Sequence, residues 1–374
     1  MRNQDMMHLW FDGNPAISLK LREYLLARFG SVEALYEMDA TTLLAISQQV
    51  GYEEAANRLL ERRNVGFLEA QMERLDKHGV TLLYEEKKAY PDKLCHIYDR
   101  PRLLYAVGKL DKSLDFYNQN LAIVGARNAD TYHRETTRAF ARELAKNGIH
   151  IISGLARGID SEAHIGCLEG KGYTVAVLGC GINVTYPREH ITLYERIKEE
   201  GLILSEYGLD VAPNAFQFPA RNRIISGLSD GVLVTCAKKK SGSLITADLA
   251  LEQGKQVYAF PGRIMDALSE GNNDLIKMGA LCVTKPKDVL LDLWGEEKMD
   301  FEPSRNTKEE EDEKNNLAPE EKLVYSCLDL DPVFVDELVK ASKLGVSKTI
   351  SVLYSLETKG LVKQTMRGYY IKNI

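Results

Sequence analysis

A chain of 374 residues exceeds what one ordinary hydrophobic core supports and predicts two or three domains. Hydrophobic residues at 44% and charged residues at 27% are ordinary globular values and exclude a disordered chain. The net charge of −6 is unevenly placed: Gly295 to Glu321 holds eleven acidic and four basic residues, a local −7, so the remainder carries +1 and a polyanionic partner is not excluded.

Met1 to Asp12 lacks the basic and apolar stretches of a signal peptide, and no apolar run approaches about 18 residues, so no membrane span is expected. Six scattered cysteines (Cys95, Cys167, Cys180, Cys236, Cys282, Cys327) form no Cys-x-x-Cys pair and have no ligand-like spacing to histidine. They predict reduced thiols in a cytoplasmic protein, with no metal site and no cofactor.

From Pro15 to about Lys77, apolar residues recur at helical spacing (Ile17, Leu21, Tyr24, Leu25, Phe29) and Gly30 ends the first run. A small all-α domain is expected over 1–77. Over 78–295, short β-rich runs alternate with helical ones: Leu121–Val124, His150–Ile152, Thr174–Leu178, Leu202–Ser205, Gly231–Thr235, Gln256–Phe260 and Leu281–Val283. Consecutive apolar residues in these runs suit strands buried on both faces. The expected fold is therefore α/β, a doubly wound, Rossmann-like, mostly parallel sheet. An acidic linker is expected over 296–317. Over 318–374, three helices (Glu320–Leu328, Val335–Ala341, Lys348–Lys359) and a terminal hairpin describe a winged helix.

Ligands of doubly wound sheets bind outside the carboxyl ends of the strands. There the sequence places Gly125-Ala126-Arg127, then Ser153-Gly154 with Arg157-Gly158, then Arg188 and Arg221-Asn222-Arg223. Lys238-Lys239-Lys240-Ser241-Gly242-Ser243 and Arg263 follow the later strands. Glycines beside cations, repeated at helix starts, make an anion site several phosphates long, which suits a polynucleotide backbone better than one mononucleotide. Asp160, Glu162, Glu206 and Asp230 are the acidic residues that would neutralise some of these cations instead. In the winged helix, Lys348, Lys363 and Arg367 form a possible secondary DNA-binding set, weakened by near neutrality of 8 basic against 7 acidic residues from Ala318 onward.

Enzyme motifs are missing. No P-loop occurs, Gly179-Cys-Gly181 lacks the third glycine of a dinucleotide fingerprint, and there is neither a Gly-x-Ser-x-Gly elbow nor a His-Glu-x-x-His pair. No catalytic residues are expected.

The collinear segments Val124-Gly-Ala-Arg127, Ser153-Gly-Leu-Ala-Arg-Gly-Ile-Asp160, Phe218-Pro-Ala-Arg-Asn-Arg-Ile-Ile-Ser-Gly-Leu-Ser229, Ser241-Gly-Ser-Leu-Ile-Thr-Ala247 and Pro261-Gly262 resemble the DprA/Smf family of DNA-processing proteins. The helical start is similar to the SAM or helix-hairpin-helix domain of many members, and Leu356-Glu-Thr-Lys-Gly-Leu-Val362 with Gly368-Tyr-Tyr370 is similar to their winged helix. The resemblance implies a non-enzymatic, homodimeric protein that binds and protects incoming single-stranded DNA and helps load the RecA recombinase in natural transformation. It also implies that Arg127 and the Arg221–Arg223 segment contact the DNA backbone. Ala126 departs from the family's frequent serine. Two alternatives stay open: a nucleotide-processing phosphoribohydrolase, whose Pro-Gly-Gly-x-Gly-Thr loop is not matched by Lys239-Lys-Ser-Gly-Ser-Leu-Ile-Thr246, and a nucleotide-sensing winged-helix regulator.

Overall fold

The computed structural model describes residues 2–14, 17–110, 119–295 and 317–373. Nine strands form the main sheet: β1 Thr81–Tyr84, β2 Leu103–Gly108, β3 Asn120–Val124, β4 His150–Ser153, β5 Thr174–Leu178, β6 Leu202–Ser205, β7 Gly231–Val234, β8 Gln256–Ala259 and β9 Leu281–Cys282. Their spatial order is β1-β2-β6-β5-β4-β3-β7-β8-β9. From β6 to β9 every pairing is parallel, and β3 through β7 are buried along their whole length. Helices cover both faces, so apolar residues are retained at every position rather than at alternate ones.

The sheet is wider than the apolar runs indicate. β1 and β2 add an antiparallel pair at the β6 edge. Their residues alternate between two cores, as the pleat requires. Leu82, Tyr84, Leu103, Tyr105 and Val107 face the N-terminal helices, while Leu83, Leu104 and Ala106 join the core on the opposite face.

The N-terminal helices do not close a core of their own. Trp10, Leu21, Leu25, Leu35 and Leu59 belong to the cluster that contains Tyr105, Ala176, Leu178 and Ile203 of the sheet. Trp10, almost fully buried, donates its indole N–H to the Leu59 carbonyl at 2.7 Å and so locks the first helix against the fifth. Ser18, Ser31, Asp39 and Asn64 cap four of the helices with side-chain oxygens.

Residues 296–316 of the expected linker lie outside the described residues, and Leu317 already packs into the C-terminal core. There, helices Pro319–Ser326, Val335–Ser342 and Val346–Thr358 carry a sheet of order β10-β12-β11, with β10 Val333–Phe334, β11 Val362–Met366 and β12 Tyr369–Lys372. This is a winged helix with one short strand more than the expected hairpin.

Glu321 ties that unit together. Its carboxylate accepts from the Lys359 ammonium at 2.6 and 2.7 Å, from the Ser355 hydroxyl at 2.7 Å and from the Ala318 N–H at 2.9 Å. These bonds, led by Lys359, hold its pKa at about 2 against an ordinary 4.5. A depressed carboxylate stabilises the fold above its unfolded pKa, and that contribution is lost as pH falls through its folded value. The side-chain carboxyl signal of Glu321 is expected to titrate near 2 by NMR, and to move toward 4.5 in Lys359→Ala. A wild-type midpoint above 4 refutes the assignment.

Candidate nucleic-acid interface

In this sheet, chain order runs from β3 to β6 on one side and then returns to β7 on the other. The crevice between the carboxyl ends of β3 and β7 is thus the topological switch point. A cleft of about 700 Å³ opens there. It gathers Gly125, Ala126 and Arg127 after β3, Ala156 and Asp160 after β4, Arg221 and Asn222, and Lys238, Lys240, Ser241, Gly242 and Ser243 after β7. Residues from four separate segments converge on one surface.

The floor is a buried polar frame. Arg221, only 4% exposed, donates from Nη1 to the Gly154 carbonyl at 2.8 Å and to the Val177 carbonyl. Asp160 accepts from the N–H groups of Gly154 at 3.2 Å and Ala156 at 3.4 Å. Burial pushes the Asp160 carboxyl up and the Arg221 guanidinium down, and each is opposed chiefly by the other's charge. Arg221 binds the carbonyl of Gly154 and Asp160 its N–H, so both side chains hold the turn after β4. Glycine is required at position 154 because a Cβ there would stand 2.4 Å from Arg221 Nη1. At Gly158, φ is +75° and a Cβ would stand 2.4 Å from the Ala126 carbonyl, so the turns after β3 and β4 are in close contact.

The rim carries free charge. Among the described residues no carboxylate pairs with Arg127, Lys238, Lys239 or Lys240. The Arg127 guanidinium lies 5.3 Å from the centre of the Phe218 ring, and that ring lies 5.5 Å from Tyr186. On the facing wall, Ser241 caps the helix Gly242–Glu252, which points its N-terminus at the cleft.

Several expected site residues stand elsewhere. The Ser153 hydroxyl is buried and bonds the Ile123 carbonyl at 2.6 Å, leaving it no outward role. Gly154 and Arg157 line a smaller pocket of about 40 Å³ beside the cleft, which Arg127, Tyr186 and Phe218 also border. Arg157 pairs with Glu189 and holds that exposed carboxyl at about 2. Lys239 is exposed outside the cleft lining.

Arg223 requires a correction. Residues 217–228 are a helix rather than an edge loop, and side chains two residues apart on a helix point about 200° apart around its axis. Arg221 consequently points under the cleft, whereas Arg223 points away and binds Glu206 at 2.8 and 2.9 Å and Asp99 at 3.0 Å. The winged-helix set is also partly engaged: Lys348 pairs with Glu320 and Lys363 with Glu135, while Arg367 is exposed. Arg263 pairs with Asp331.

The aromatic rim escaped the cation-by-cation reading. Tyr186 (42% exposed) and Phe218 line the cleft beside the positive residues. The available signal was the density of aromatic residues and proline in Phe216-Gln-Phe-Pro219 and Tyr186-Pro187, beside arginine in both cases.

The sequence and the fold are shared with known proteins. The family model of DNA recombination-mediator protein A matches residues 81–293, the whole of the sheet and its cleft. The chain belongs to the DprA/Smf family. A DprA winged helix domain is matched over 308–365. Protein Smf of Escherichia coli is 39% identical to this DprA-family chain over 297 residues, covering 79% of this chain and 78% of that protein. DNA processing protein DprA of Streptococcus pneumoniae is 46% identical over 201 residues, 54% of this chain and 70% of its own. The solved structure of Streptococcus pneumoniae DprA superposes with a TM-score of 0.58 at 36% identity, covering 69% of this chain and 94% of that one. DNA processing protein A of Helicobacter pylori, a DprA protein whose structure describes a single-stranded DNA binding mode, superposes at 0.51 and 35% identity, covering 57% and 95%.

Proposed function

We propose that this chain binds single-stranded DNA across the switch-point cleft, without catalysing a reaction, and passes the strand to the RecA recombinase. One observation carries the reading: among the described residues, Arg127, Lys238 and Lys240 have no carboxylate partner around a cleft whose rim also presents Phe218 and Tyr186. Unpaired cations suit backbone phosphates, and aromatic faces stack bases regardless of sequence. A pair of cationic walls beside aromatic faces is the combination that single-strand binding demands. The wider role follows the family's place as a recombination mediator. Action in the cytoplasm as a homodimer, with the winged helix in a subordinate role, completes the proposal. The carboxylate partners of Lys348 and Lys363 favour that subordination.

Salt titration tests the reading. With about five phosphates neutralised, log Kobs for an unstructured oligonucleotide should fall against log salt with a slope near −3.5, taking ~0.7 per phosphate on single strands. Affinity should be tolerant of sequence and far higher for the oligonucleotide than for a nucleoside monophosphate. A slope near zero, or equal affinity for the two ligands, overturns the polynucleotide reading and favours nucleotide binding.

A further inference from the structure

The N-terminal helices touch the two loops that carry the aromatic rim. The loop after β5 runs to Tyr186, and the loop after β6 leads into the helix Gln217–Leu228, whose first turn holds Phe218. The loops are stitched together near the sheet: the Gly181 N–H donates to the Val211 carbonyl at 2.7 Å and the Ile182 N–H to the Tyr207 carbonyl at 3.1 Å. A Cβ at Gly181 would stand 2.7 Å from the Gly208 carbonyl, so the contact leaves no space for a side chain there.

Asp210 adds a side-chain clamp. Asn183 Nδ2 donates to Asp210 Oδ1 at 2.9 Å, and the Asp210 N–H donates to Asn183 Oδ1 at 2.8 Å, a reciprocal pair between the loops. The other carboxylate oxygen, Oδ2, accepts from Arg74 Nη2 of the helix Val65–Lys77. Asn183, then Arg74, hold the Asp210 carboxyl below the ordinary carboxylate range. The backbone at Asp210 has φ +64°, a region that glycine enters at no steric cost. An aspartate there carries a conformational cost, which its bonds to Asn183 and Arg74 offset. Tyr186 follows Asn183 by three residues and Phe218 follows Asp210 by eight, and the two rings meet at 5.5 Å.

We propose that Arg74, Asp210 and Asn183 are positioning residues for single-stranded DNA, through which the N-terminal helices hold Tyr186 and Phe218 ready to stack bases. The inference rests on the single-strand reading of the cleft and gives the N-terminal helices a part in it. Loops held in the binding geometry before the ligand arrives lose less conformational freedom on binding. Arg74 and Asp210 are 45% and 62% exposed, and an exposed ion pair adds little to global stability. The clamp therefore acts on where the loops stand, and its loss is read in affinity rather than in the melting midpoint.

Titration of the full chain with an unstructured oligonucleotide carrying 2-aminopurine, whose emission reports base stacking, tests the proposal. Asp210→Gly accepts the left-handed backbone and deletes the carboxylate. It is expected to weaken binding roughly fivefold, the lower end of the ~5- to 150-fold that one stacked base is worth. The emission change on binding should shrink, while the salt slope stays that of the wild type because the cations are untouched. The melting midpoint should move by less than about 2 °C. Arg74→Gln, which leaves the Asn183 pair, should lose roughly twofold. On a Phe218→Ala background, Asp210→Gly should cost nothing further. Wild-type affinity and emission in Asp210→Gly overturn the proposal, as does a loss that adds in full to that of Phe218→Ala or makes the salt slope shallower. A nuclear Overhauser effect between labelled Tyr186 and Phe218 rings reads the clamp without DNA. It should weaken in Asp210→Gly, and an unchanged ring contact refutes the positioning role. A wild type that binds no oligonucleotide, with a ring contact that still responds to Asp210→Gly, assigns the failure to the DNA reading and leaves the clamp standing.

Discussion

Arg127→Glu should weaken single-stranded DNA binding by roughly 10- to 150-fold, the range that corresponds to losing a charge-assisted hydrogen bond worth about 1.5–3 kcal/mol. Its guanidinium is exposed, lies over Phe218 and forms no ion pair among the described residues, so the change breaks no salt bridge there. The folding midpoint is accordingly expected to move by less than about 2 °C, as for other exposed substitutions. The loss should be uniform across sequences, and the salt slope should become shallower by ~0.7. Arg223→Glu gives the opposite pattern. Arg223 is only 12% exposed and holds Glu206 and Asp99, so charge reversal leaves two carboxylates facing a third and lowers stability, with little effect on affinity. Anisotropy titrations and thermal melts on both variants separate the two roles. Equal affinity losses in the two would refute the division between cleft and flank.

Arg221→Ala should be the most destabilising single change in the cleft. It strips a buried guanidinium from the carbonyls of Gly154 and Val177 and leaves Asp160 buried without its nearest opposing charge. Losing two hydrogen bonds from a charged donor, at about 1.5–3 kcal/mol each, costs roughly 3–6 kcal/mol. At 2–4 °C per kcal/mol for a unit of this size, the melting midpoint should drop by roughly 6–24 °C. Asp160→Asn should be costly as well. The double variant Arg221→Met with Asp160→Asn should cost less than the sum of the single changes, because the orphaned charge is gone. Strict additivity, or an Arg221→Ala variant as stable as wild type, would show that the two charges are not coupled. Arg221 thus serves any ligand by holding the floor of the cleft, which is a different role from that of Arg127.

Much of the fold was legible because it rests on local pattern. Runs such as Val175-Ala-Val-Leu178 and Val232-Leu-Val234 are apolar at every position, and such runs need helices on both faces. β1 and β2 were not legible in the same way. Thr81-Leu-Leu-Tyr84 and Leu103–Gly108 are as apolar as the parallel strands, but their antiparallel direction is set by pairing of β1 with β2 and of β2 with β6 rather than by their own residues. The N-terminal helices show their periodicity plainly, yet nothing in that periodicity says which apolar surface they cover. The surface proved to be Leu103, Tyr105 and Val107 of β2.

By itself, the sequence determined the alternation of strands and helices, the family-bearing glycine and arginine segments, and the edge of the sheet on which the cations gather. Those features depend on residue type and spacing along one stretch of chain. Only the tertiary structure decided which cations are free. Arg223 is neutralised by Asp99, 124 residues away, and Lys363 by Glu135, 228 residues away, whereas among the described residues no carboxylate forms an ion pair with Arg127. The aromatic rim likewise joins Tyr186 to Phe218 from separate segments. Burial and charge pairing are properties of neighbours in space, and those neighbours are brought together by the packing of the whole chain.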